Sequence, residues 1–254
     1  MTENDDMFLA AAFCPSPPLL HPRVLGASGA DMGSQLHSAC ADALDRMLGI
    51  DPDAVLVLGA GPADLACARG DVGDLIGYGV PVQIGFDGPP ASNDSRVPLA
   101  HTLGAWLLDD AGFAGQRLGL AAGTESRQMR AARTDGRRWA MLVMGDDSAR
   151  RSERSPGWYD PDAVAFDDAV TAALHSGDAK ALLDLDARVG ARVLAAGTAS
   201  WQTVGGILAG LPMVSRVHYA DAPFGVFYVV ASWVVPDLTA QDLTAQDLTG
   251  DGAR

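Results

Sequence analysis

Short, largely apolar runs separated by stretches of helical spacing constrain this chain more than any other feature. The runs are Met7 to Phe13, Asp53-Ala-Val-Leu-Val-Leu-Gly59, Gln116 to Ala122, Trp139 to Met144 and Gly225 to Val234. A strand with no polar face must be covered on both sides, the condition of a mostly parallel sheet in an α/β fold. Leu36, Cys40, Ala43, Leu44, Met47 and Leu48 recur at helical spacing, with Gly49 placed as a C-terminal cap. The pair of strands flanking that helix is expected to be parallel and joined by a right-handed crossover. Pro98 opens a second helix with Leu99, Leu103, Trp106 and Leu107 inward and Gly112 past its end, and Thr124 caps a third that runs to about Asp135. Pro161 opens a fourth with Phe166, Ala169, Val170 and Ala173 inward, interrupted by Gly177 before a helical stretch to Ala196. Ser200 to Leu208 reads as a short helix, and Arg216–Tyr219 with Gly225–Val234 as a hairpin at the sheet edge. The Gly- and Pro-rich segment 59–94 reads as loops with one strand at Val80–Ile84.

The expected fold is a single α/β domain over residues 7–236, a central mostly parallel sheet flanked by helices on both faces. Residues 1–6 are expected to be a flexible terminus. Residues 237–254 repeat Asp-Leu-Thr-Ala-Gln, polar and too short to build a core, and are expected to be a disordered tail.

With 48% hydrophobic residues, 254 residues suffice for a substantial core. A formal charge of −14 excludes nucleic acid and anionic membrane as main partners, because both repel such a surface. Small molecules or proteins remain as partners. Cys14, Cys40 and Cys67 are widely spaced and form no C-x-x-C pair, which points away from a disulfide framework or a zinc site and toward a reducing cytoplasm. The acidic start, Met1 to Asp6, is unlike a secretory signal, and no run of about 18 apolar residues offers a membrane span.

In an open α/β sheet the loops leaving the carboxyl ends of the strands are where ligands sit. The richest such loop follows Met144 and reads Gly145-Asp-Asp-Ser-Ala-Arg-Arg-Ser-Glu-Arg-Ser-Pro-Gly-Trp-Tyr-Asp160. Asp146 and Asp147 could hold a cation together with His218 and Asp221, or with His21, since carboxylate and imidazole suit iron, manganese or magnesium. The plainer reading has them capping a turn or pairing with Arg150, Arg151 and Arg154. Ser148 lacks the glycine spacing of a hydrolase elbow, and two preceding carboxylates oppose an anionic intermediate. Gly59-Ala-Gly-Pro-Ala-Asp64 starts like a dinucleotide fingerprint but carries Asp64 at the third glycine and loses an amide donor at Pro62. Cys14, at the end of the first strand, is a nucleophile only if exposed; buried, it is a small apolar group. Trp158, Tyr159 and Trp201 read as core or interface, and His37, His101 and His175 as surface positions on helices.

Four stretches in order resemble the class III extradiol ring-cleavage dioxygenase family, its catalytic B-type polypeptide and the actinobacterial B-like relatives. They are Ala10 to Leu20 (AAAFCPSPPLL), Val55 to Gly61 (VLVLGAG), Leu142 to Arg150 (LVMGDDSAR) with Tyr159-Asp-Pro161, and Tyr219 to Trp233 (YADAPFGVFYVVASW). The resemblance implies a sheet like that of the extradiol dioxygenase catalytic polypeptide, in a family whose members are often dimeric (here a homodimer), and a non-haem Fe(II) site at the strand ends. At the positions where the family carries its ligand or base histidines this chain has Ser16, Gly61 and Ala149. None of these can replace imidazole as an iron ligand or general base.

The expectation that follows is a dioxygenase-like protein that has lost the Fe(II) ring-cleavage site and keeps a polar cleft for a small molecule or a protein partner. Its residues would be Cys14, Ser16, Gly61, Asp146, Asp147, Ser148, Arg150, His218 and Asp221, with Arg150 gripping an anion through its planar fork and no cofactor required. One alternative is an active metal-dependent oxidoreductase with relocated ligands Asp146 or Asp147, His218 and Asp221. A second alternative is a non-catalytic assembly protein.

Overall fold

The computed structural model describes residues 8–25, 30–91, 96–123, 127–132 and 135–236. The expected flexible residues 1–6, the Thr124 cap and the 237–254 tail lie outside the described residues. In chain order the strands are β1 (Phe8–Cys14), β2 (Ala54–Gly59), β3 (Ala66–Cys67), β4 (Val72–Leu75), β5 (Val80–Gly85), β6 (Gln116–Ala121), β7 (Trp139–Met144), β8 (Val214–Asp221) and β9 (Tyr228–Val234). The helices are α1 (Pro22–Leu25), α2 (Ala30–Leu48), α3 (Leu99–Asp110), α4 (Arg127–Ala132), α5 (Ala163–Ser176), α6 (Ala179–Leu183), α7 (Ala187–Arg192) and α8 (Thr198–Ile207).

Seven strands form one mostly parallel sheet in the order β3-β6-β2-β7-β1-β9-β8. The run β6-β2-β7-β1 is parallel throughout, β9 is antiparallel to β1, and β8 is antiparallel to β9. The expected edge hairpin is therefore present. β1 and β2 run parallel as expected, and β7 lies between them and pairs in parallel with both. All six β7 residues are buried, and a strand with no polar position gains most from a place with neighbours on every side. Segment 59–94 carries more structure than expected. Its β3 pairs antiparallel with the β6 edge, while β4 and β5 form a separate hairpin.

Alternate strand residues feed two cores. Ala10, Ala12 and Cys14 of β1 face α2 and α3 together with Leu36, Cys40, Leu44 and Leu103. Ala11 and Phe13 face the opposite layer with Phe166, Val170, Trp201 and Trp233. Each fully buried aliphatic or aromatic side chain contributes about 1.5–3 kcal/mol. Phe13 meets the Trp233 ring edge-on at 4.9 Å and Trp201 at 6.1 Å, which locks the end of β1 against α8 and β9.

The helix boundaries follow their punctuation. Gly177 adopts φ +70 and its amide closes α5 onto Ala173 and Leu174, a left-handed cap that suits glycine. Gly49 does not serve as such a cap; it continues the helical hydrogen bonding to Asp45, and Asp51 takes the positive φ. The expected stretch to Ala196 divides into α6 and α7, with Asp178 and Asp186 accepting from first-turn amides as N-caps. Ala169 is exposed, contrary to expectation; the inward position beside Phe166 and Val170 is held by Asp167.

Candidate functional site

The carboxyl ends of β1 and β7 and the start of β9 converge on one edge of the sheet. There the Gly145 amide donates to the Cys14 carbonyl at 3.0 Å, and the Ser16 amide donates to Asp146 Oδ1 at 2.7 Å. Two strand-end loops are thus tied through one carboxylate. Desolvation pushes the half-buried Asp146 carboxyl up to about 6, against the pull of the Ser16 N–H. The buried Tyr228 phenol, within electrostatic reach of Asp146 and Tyr219, is itself raised by burial and by the Asp146 charge.

Asp147, next in the chain, turns to the opposite layer. It is fully buried, Oδ2 accepts from the Val229 amide at 3.2 Å, and Oδ1 has no hydrogen-bond partner among the described residues. Burial, then the charges of Asp167 and Asp146, hold its carboxyl well above the usual range; the Val229 N–H and the nearby Trp201 indole oppose this. The Trp201 N–H stays outside hydrogen-bonding geometry. Asp167 accepts from both the amide (2.9 Å) and the hydroxyl (2.6 Å) of Ser148, and the Arg151 Nε lies 3.4 Å from it. The Arg151 guanidinium also covers the Phe227 ring at 4.4 Å. Ser148 is therefore a fastening between the loop and α5, its hydroxyl committed to a carboxylate.

Arg150 is committed as well. Its guanidinium donates to the Arg192 carbonyl at 2.9 Å and lies 3.9 Å from Asp160, which Arg192 approaches at 3.3 Å. Backbone bonds from Ala149 to Val193, Gly157 to Ala149, Asp160 to Arg150 and Phe227 to Ser148 complete a tightly tied loop. In place of an anion-gripping fork, Arg150 supplies an internal clip, and neither it nor Arg151 forms an ion pair with Asp146 or Asp147 among the described residues.

The relocated metal set does not assemble. His218 lies on the α2 side of the sheet, with Nε2 bonded to Ser232 Oγ at 2.9 Å, whereas Asp147 faces α5 and α8. The exposed Asp221 carboxylate accepts from the adjacent Ala222 amide at 2.7 Å. His21 is buried against Trp106, ring centroids 4.9 Å apart, and its Nδ1 accepts from the Arg23 amide. Among the described residues no three His, Cys, Asp or Glu side chains converge as a metal-holding group. The side chains at this edge do not fit the Fe(II) that the family resemblance implies: the carboxylates diverge across the sheet and no imidazole joins them.

The remaining candidates are placed as follows. Cys14 is fully buried next to the Cys40 thiol, so it packs as an apolar group. Gly61 lies in an exposed loop that leads to β3 rather than to a helix, so no helix N-terminus follows the glycine-rich turn to receive a pyrophosphate. Trp201 is core, while Trp158 is 63% and Tyr159 48% exposed. His175 is on the surface and His37 pairs with Asp110 at 2.8 Å. His101 corrects the expectation of a surface residue: it is fully buried, and its Nε2 donates to the Leu120 carbonyl at 3.0 Å.

Sequence reading missed Asp167, Tyr219 and Tyr228. Asp167 had a visible signal, a carboxylate inside the apolar stripe of α5 between Phe166 and Val170. The tyrosines had none, since an aromatic in an edge hairpin is ordinarily packing. Tyr219 and His218 form one wall of a groove of 470 Å³, whose other wall is Ser34, Gln35, Ser38, Ala39 and Asp42 of α2. Tyr228 lies within electrostatic reach of both Tyr219 and Asp146, but neither Tyr228 nor Asp146 lines the groove. The polar groups of the groove are three hydroxyls, the Asp42 carboxylate, the Gln35 amide and the His218 imidazole.

Comparison with known proteins adds a distant likeness to a solved structure. No protein-family model matches the chain, and no curated protein matches it. A crystal structure of the uncharacterized protein JW3007 from Escherichia coli is similar at a TM-score of 0.45 and 15% identity, covering 89% of this chain and 99% of that one.

Proposed function

We propose that this chain is a protein of the class III extradiol dioxygenase type, like the family's catalytic B-type polypeptide, that has lost the iron-dependent ring-cleavage site. It binds a small, hydrogen-bond-donating molecule at the carboxyl edge of its sheet. The observation that carries the reading is Asp146: half-buried where β1 and β7 end, anchored by the Ser16 amide, raised to about 6 and coupled to Tyr228. At neutral pH it presents a partly desolvated carboxylate, an acceptor that favours an amine or a hydroxyl. Asp42, Ser34, Ser38 and Tyr219 line a separate groove between α2 and β8 with further acceptors. The neighbouring guanidiniums of Arg150 and Arg151 are engaged by Asp160, Arg192 and Asp167, which disfavours a carboxylate or phosphate ligand. In support of the family reading, the four resembling stretches supply β1, β2, β7 and β9, and each places one end at this same edge.

The test is thermal denaturation against a panel of catechols, polyols, primary amines, aromatic acids and phosphates. A rise in melting temperature with an amine or hydroxyl compound, lost in Asp146→Asn, is expected. Stabilisation by the acids or phosphates alone, or a shift that survives Asp146→Asn unchanged, would overturn the assignment.

A further inference from the structure

The outer edge of β8 carries an inference independent of any ligand. Among the described residues β8 is paired on one side only, with β9, so the backbone groups that alternate residues turn outward meet no neighbouring strand; of the eight residues, the Val214 carbonyl accepts from the Arg46 guanidinium. The strand contains no proline or lysine to blunt that edge, and Val214 at its start is 38% exposed.

Its register has an unusual consequence for charge. Arg216 and Asp221 are five positions apart, and in a regular strand an odd separation puts side chains on opposite faces. Here the pairing shifts between Val217 and Tyr219: Arg216 is opposite Ser232 and Asp221 opposite Tyr228, with His218 as the extra residue. Ser232 bonds His218 on the α2 side, and Tyr228 belongs to the α2-side core, so the bulge brings Arg216 and Asp221 to the same face. Val217 and Ala220, opposite Ala231 and Val229, share the other face.

We propose that β8 pairs antiparallel with β8 of a second copy of this chain, about a two-fold axis normal to the sheet. Arg216 then lies opposite Asp221 of the partner subunit, twice per dimer. Val217 meets the partner's Ala220, and His218 meets the partner's Tyr219. Every opposed pair shares a face only because of the bulge. Without it, the Arg–Asp register would set each charge against the wrong side of the partner sheet. The second copy is favoured over a foreign strand because the charge pattern is complementary to itself under antiparallel reversal. Asp221 commits one oxygen to the Ala222 amide and keeps the other for a guanidinium.

Sedimentation and light scattering of the full chain across a dilution series test this. A dimer of twice 26.3 kDa is expected. Arg216→Glu and Asp221→Arg, each turning two attractions into two repulsions, are expected to weaken dimerisation by roughly tenfold or more each. The double variant R216E/D221R restores the pairs in swapped order and is expected to recover the dimer. Circular dichroism and melting temperature confirm that each variant is folded. A monomeric parent protein, or a parent dimer that the single variants leave intact or the double variant fails to restore, would overturn the proposal.

Discussion

Asp147 shows how strongly a single carboxyl shapes this molecule. Burial and two neighbouring carboxylates raise its folded pKa above its unfolded one, so the folded state holds a proton that the unfolded chain gives up. Its contribution to stability is full below the unfolded pKa and is lost as pH rises through the folded value. Asp146 acts in the same sense over the window from 3.8 to about 6. The buried His21 and His101, lowered by desolvation, act in the opposite sense, so a comparison of variants isolates the carboxyls better than one pH curve. Asp147→Asn keeps an acceptor for the Val229 amide and removes the titration. Its melting temperature is expected to exceed the parent's by several degrees at pH 8, with the gap closing toward pH 4; a gap that widens on acidification would refute this. Ser148→Ala leaves Asp167 buried without its hydroxyl donor and is expected to cost about 1.5–3 kcal/mol in denaturant unfolding, the worth of a hydrogen bond to a charged group. Neither effect was legible in the sequence. Adjacent aspartates give no sign that one will face each layer of a sheet, and a lone Asp167 in an apolar stripe suggests a buried carboxylate without naming its partner.

Among the elements, β7 and its loop set the geometry of the edge. Gly145 and Gly197 bring the loop and the start of α8 so close that a Cβ on Gly145 would stand 2.4 Å from the Gly197 Cα. Because the obstacle is backbone, Gly145→Ala is expected to destabilise by about 3 kcal/mol or more and to blunt any ligand response of Asp146, measured by urea unfolding and thermal shift. Arg150→Ala removes the clip onto Arg192 and Asp160 and is expected to cost about 1 kcal/mol while leaving ligand stabilisation unchanged; loss of binding would return Arg150 to the cleft. The strands and most helices were legible because apolar runs and glycine punctuation act locally. The neighbour of β1 was not, since β2 and β7 are equally apolar and only the whole packing decides between them. The bulge at His218 was hidden too, because nothing in Arg216-Val-His-Tyr219 marks an extra residue.

At the scale of the whole molecule, the carboxyl edge of a mostly parallel sheet is where the chain order predicts a site, and that is where Asp146 and Ser16 meet. The members of the site were only partly legible. Ser16 and Asp146 were named from sequence; His218 and Asp221 were grouped with them, and the sheet itself keeps the metal set apart by placing Asp147 and His218 in different layers. The groove beyond Tyr219 depends on how α2 rests on β8, a contact between segments about 180 residues apart that no local pattern encodes. The measurement that bears most directly on the central claim is anaerobic calorimetric titration of Fe(II) into the full chain, with Asp146→Ala as control. A carboxyl edge without converging ligands predicts no saturable one-to-one binding and no difference between the two proteins. Stoichiometric, saturable Fe(II) uptake that disappears in Asp146→Ala would contradict it.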